Sequence, residues 1–90
     1  MRVKAEVRRA FQKAEDQANK TYWETQVQAR RIYLDAEEEA WRVYFRAGGT
    51  THAEKYYQGT VAEADSIYKE ALTRARASRQ EALDQAWGSL

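Results

Sequence analysis

The sequence predicts an all-α chain folded as one long antiparallel helical hairpin, and three observations predict it. An eleven-residue pattern runs through both halves of the chain. It breaks at Gly48-Gly49 and resumes out of phase. The 90 residues include no proline and no cysteine, so no ring interrupts a long helix and no disulfide or thiolate metal site is available.

The first helix is expected over residues 3–47. Written in units of eleven, residues 9–19 read RAFQKAEDQAN, 20–30 KTYWETQVQAR and 31–41 RIYLDAEEEAW. A fourth unit starts at Arg42 and ends at the glycines. Each opens on a basic residue (Arg9, Lys20, Arg31, Arg42), has an aromatic third (Phe11, Tyr22, Tyr33, Tyr44) and, where complete, a small residue tenth (Ala18, Ala29, Ala40). Eleven residues over three turns is ~3.67 per turn, which keeps a stripe on one face when helices wrap with a right-handed supercoil. The expected seam is the second, sixth and tenth positions: Ala10, Ala14, Ala18, Thr21, Thr25, Ala29, Ile32, Ala36, Ala40 and Val43. These are mostly small and let two backbones approach. The aromatic third position is expected beside the seam, covering it. The fourth position adds a second apolar column, Trp23, Leu34 and Phe45, about 100° from the tyrosines, with Trp41 near it.

The turn is expected over 48–51. Gly48 or Gly49 fits a left-handed C′ residue. Thr51 to Glu54 reads as a capping box, Thr51 capping and Glu54 reaching back. The second helix is then expected over 52–87, with units KYYQGTVAEAD from 55, SIYKEALTRAR from 66 and ASRQEALDQAW from 77. Its seventh position is apolar (Val61, Leu72, Leu83) where that of the first helix is polar (Glu15, Gln26, Glu37). Gly59 suggests a close contact or a kink. Pairs four apart are expected at Asp16–Lys20, Glu38–Arg42, Asp65–Lys69 and Glu70–Arg74. A turn this short makes the helices antiparallel neighbours and puts Trp87 near Gln12. The whole, 1–90, is read as one helical-hairpin domain.

This pattern resembles the hendecad coiled coils, a class that includes the bacterial ATP synthase peripheral stalk and archaeal surface-layer stalks. The resemblance covers residues 9–47 and 55–87 and implies right-handed supercoiling, not a particular function. The small secreted WXG-type hairpins are a poorer match, because the turn here is Arg46-Ala47-Gly48-Gly49 and Trp87-Gly88 lies at the far end.

Chemistry finds little support in the sequence. His52 is the one histidine and reads as a turn residue, and Glu37-Glu38-Glu39 reads as a solvated helix face. There is no Glu-x-x-His pair, triad context or phosphate loop following a strand. No enzyme activity, cofactor or metal is expected. Fifteen basic residues against 14 acidic give a net charge of +1, so bulk charge indicates no partner. Strongly apolar runs are no longer than Val43-Tyr44-Phe45, far short of a bilayer span, and no secretory leader is apparent. A soluble cytoplasmic protein is the expectation.

Two helices enclose no core, so the expected function is a non-enzymatic structural module. It would self-associate, most simply as a homodimer forming a four-helix bundle, or bind a helical protein partner. The interaction residues are taken as Trp23, Leu34, Trp41, Phe45, Tyr22, Tyr33, Tyr44, Leu72 and Leu83. Two other readings stand beside it. The basic segment Arg2, Lys4, Arg8, Arg9 and Lys13 could meet nucleic acid or another anionic surface. Eleven-residue amphipathic helices can also lie on a membrane surface, although an alanine seam suits helix contact better.

Overall fold

Alanine and the straight-chain residues Glu, Gln, Lys and Arg dominate the chain. They lose little rotamer freedom in a helix, and helix is what they form. A computed structural model describes residues 2–89, with side chains from Lys4 to Ser89. Helix α1 runs Arg2–Arg46 and helix α2 Thr51–Gly88. They pack antiparallel along their length. Over its Cα atoms the molecule measures 71 × 15 × 10 Å. Its radius of gyration is 20.4 Å, against about 12 Å for a compact chain of this size.

The turn is made by both glycines. Gly48 has φ +72° and Gly49 φ +68°, values an L side chain resists. Gly49 N–H donates to the Tyr44 carbonyl at 3.3 Å and Gly48 N–H to that of Phe45 at 3.1 Å. This pair of bonds is a Schellman close, which satisfies carbonyls the helix end would leave open. Thr50, not Thr51, then caps α2: its hydroxyl accepts from Ala53 N–H at 3.2 Å. With the cap one residue earlier, Glu54 falls a position too late to reach back, so the expected capping box does not form. Glu54 instead accepts from Gln58 at 3.5 Å.

Burial corrects the expected seam. In α1 the second-position residues Ala10, Thr21 and Ile32 are exposed and Val43 alone is half-buried, while the third-position rings Phe11, Tyr22, Tyr33 and Tyr44 are half-buried between the helices. The seam is therefore the third, sixth, seventh and tenth positions, and it recurs every eleven residues along α1. At its centre lie the tenth-position alanines. Ala18, Ala29 and Ala40 of α1 are buried, as are Ala53 and Ala75 of α2, and these five form the whole core among the described residues. Alanine methyls alone cannot fill the space, so the neighbouring rings turn inward to do it. Gly59 marks neither a close contact nor a break, since open space surrounds it and α2 continues through it.

Aromatic pairs fix the register. Tyr33 meets Tyr68 at 5.7 Å between ring centroids, and Tyr44 meets Tyr57 at 5.8 Å. Tyr22 meets Arg79, whose guanidinium carbon sits 4.9 Å over the ring. Each eleven steps up α1 are thus matched by eleven steps down α2. Phe11 and Trp87 close the open end at 5.2 Å, so α1 overhangs α2 by its first residues, as expected. Three of the four expected ion pairs form: Arg42–Glu38 at 2.6 Å, Lys69–Asp65 at 2.9 Å and Arg74–Glu70 at 2.5 Å. Asp16 is taken instead by Gln12, at 3.1 Å.

Candidate interaction surfaces

Three turns per eleven residues places successive side chains ~98° apart around the axis. With the tenth and third columns facing the partner helix, the other columns sort to two sides. The sixth and then the second lie on one side, here called the front. The seventh, eleventh and fourth lie on the other, the back. Because the helices are antiparallel, the same columns of both share each face.

The front is an open groove whose floor is mostly small and uncharged, with Arg74 and Arg79 lining one stretch of it. Thr25, Ala29, Ile32 and Ala36 of α1 line it with Ala64, Ile67 and Ala71 of α2. It continues past Thr21 and Ser78 towards Ala82. Ile32 and Ile67 stand at nearly the same level, midway along the paired helices, 64% and 54% exposed. The expected seam places Ile32 between the helices; it lies on this open face instead. The signal that could have found this face is the absence of charge from the second and sixth columns of both helices.

The back carries the residues singled out for contact. The seventh column is half-buried in both helices, polar in α1 (Glu15, Gln26, Glu37) and apolar in α2 (Val61, Leu72, Leu83). Leu72 and Leu83 thus belong to the hairpin's own seam, as do Tyr22, Tyr33 and Tyr44. Outside them Trp23 is 63% exposed, Leu34 50% and Phe45 69%. Trp41 is tied down within the hairpin: it stacks on Tyr44 at 5.5 Å and meets Phe45 and Tyr57 edge-on at 5.4 and 5.7 Å. The structure therefore splits the expected set into two groups. Five residues hold the hairpin itself, while Trp23, Leu34 and Phe45, with the half-open face of Trp41, remain available.

The polar groups show one organised cluster. Arg79 takes the place an aromatic residue holds elsewhere in the third column, and it covers Tyr22. Its Nε is buried without a hydrogen-bond partner. Arg76 Nε donates to the Tyr22 hydroxyl at 3.4 Å. The phenol of Tyr33 is pushed above its ordinary value, by burial first and then by Glu37. Lys69 is raised by its bond to Asp65.

In the basic segment Lys4, Arg8, Arg9 and Lys13 are exposed at the open end of the hairpin; the side chain of Arg2 lies outside the described residues. Lys4 and Arg8 flank Val7, Phe11 and Trp87 there. Among the described residues no three His, Asp or Glu side chains stand close enough together to hold a metal ion. No described helix is long and apolar enough to cross a membrane. Compared with known proteins, the chain matches no family model, no curated protein and no solved structure.

Proposed function

We propose that this chain is a non-enzymatic self-assembly module: a stiff helical hairpin that associates with copies of itself, in a right-handed coiled-coil arrangement, and serves as a scaffold or spacer. One observation carries the reading. The hairpin leaves 7480 Å² accessible, whereas a folded monomer of 10.5 kDa leaves about 5,400 Å². The excess, about 2,000 Å², includes Trp23, Ile32, Leu34, Phe45 and Ile67, all at least half exposed. Exposed apolar side chains on two faces of one rod suit burial by other helices. The column of Trp23, Leu34 and Phe45 is then a second contact, open to further copies or to a helical partner.

Thermal melting at several protein concentrations tests this reading. An associating hairpin melts higher as concentration rises, because only the folded chain associates. A melting temperature independent of concentration contradicts it. Helicity that appears only on adding anionic vesicles would favour a lipid surface instead.

A further inference from the structure

We propose that a second copy of this chain covers the front face in one orientation, running antiparallel to the first with α1 against α1 and α2 against α2, and that Glu63 and Arg74 select it. The proposal rests on the self-association reading and adds the face and the direction.

The face follows from size and content. Two paired helices ~55 Å long and ~20 Å across present about 1,000 Å² on one side. That exceeds the ~800 Å² per partner of a standard stable interface. A twofold interface must also be self-complementary. Ile32 and Ile67 supply two knobs at the midpoint of the rod, flanked by the small residues of the groove. Stacking two front faces brings four isoleucines into one layer whichever way the second copy runs.

Direction follows from the rim. The ninth column lies just outside the second and points the same way. Gln28 and Arg74 belong to it and line the groove. Eleven residues further towards the turn, the same columns carry Glu39 and Glu63, both exposed. By the register of Tyr33–Tyr68 and Tyr44–Tyr57, Glu39 stands level with Glu63, and Gln28 with Arg74, to within about one residue's rise. A second copy with its turn at the same end sets α1 against α2, so Glu39 of each copy meets Glu63 of the other, twice. A copy reversed about the isoleucine layer sets α2 against α2. Glu63 then meets Arg74 of the other copy, twice, while Gln28 meets Glu39. Like charges placed opposite each other disfavour the first arrangement and opposite charges favour the second.

The test compares the dimer dissociation constants of the wild type, Glu63→Arg, Arg74→Glu and the double variant at low salt, where rim charges are least screened. The expected result is that each single change weakens the dimer about tenfold and the double change restores it. Tightening by Glu63→Arg alone would overturn the direction, since it relieves the contact with Glu39 in the parallel arrangement. Cysteine pairs give an independent reading in a chain that has none of its own. Mixed Thr21→Cys and Val43→Cys chains should form a disulfide-linked dimer. Crosslinking of Val43→Cys to Tyr56→Cys instead would mean the turns lie together. Ile32→Gln with Ile67→Gln should dissociate the pair with helicity kept, and Trp23→Gln with Leu34→Gln should leave it intact. The reverse outcome overturns the choice of face and leaves self-association standing. A wild-type monomer at tens of micromolar overturns both.

Discussion

A Cβ on Gly49 would meet the Tyr44 hydroxyl at 3.3 Å and would have to sit at φ +68°. Gly59 is the opposite case, a helical glycine with open space around it. Gly49→Ala should therefore destabilise the hairpin by about 1–2 kcal/mol, while Gly59→Ala should stabilise it by ~1 kcal/mol. Chemical denaturation of the two variants checks both signs at once. Tyr33 gives a second residue-scale prediction. Its folded phenol is held above the ordinary value of 10.0, so the unfolded chain gives up this proton more readily. Its contribution is intact below pH 10.0 and is lost as pH rises through the higher folded value. Absorbance titration should show a late tyrosinate step that Tyr33→Phe removes.

Caps and the alanine column act at the scale of the element. Thr50→Ala should cost about 1 kcal/mol, and Thr51→Ala much less, because Thr51 is already inside the helix. Two adjacent threonines look alike in sequence; both glycines taking positive φ is what ends the turn one residue early. Ala40 is 1% exposed, so Ala40→Leu has no room and should destabilise by about 1–3 kcal/mol as the helices part. The helices, their antiparallel order and the alanine contacts were legible because the eleven-residue period reports them directly. The rotation of each helix was not. The second, sixth and tenth columns and the third, sixth, seventh and tenth columns are overlapping arcs, offset by about 50°, half of one residue's turn. A phenol with a polar tip fits the flank of a seam as well as its interior. The choice depends on which arc meets the chain's own second helix, and Tyr33 facing Tyr68 decides it. The fourth column escaped this ambiguity because it lies far from both arcs, and Trp23, Leu34 and Phe45 are exposed.

For the whole molecule, five buried alanines are a small core for two helices of 45 and 38 residues. Helices in folded proteins draw most of their stability from packing, and here much of the packing surface faces outward. We therefore propose that a second copy covers it. Sedimentation equilibrium at tens of micromolar tests it most directly. It should return twice the 10.5 kDa chain mass, or a larger even multiple where the Trp23 column is also engaged. A well-folded, fully helical species at the mass of one chain would contradict it.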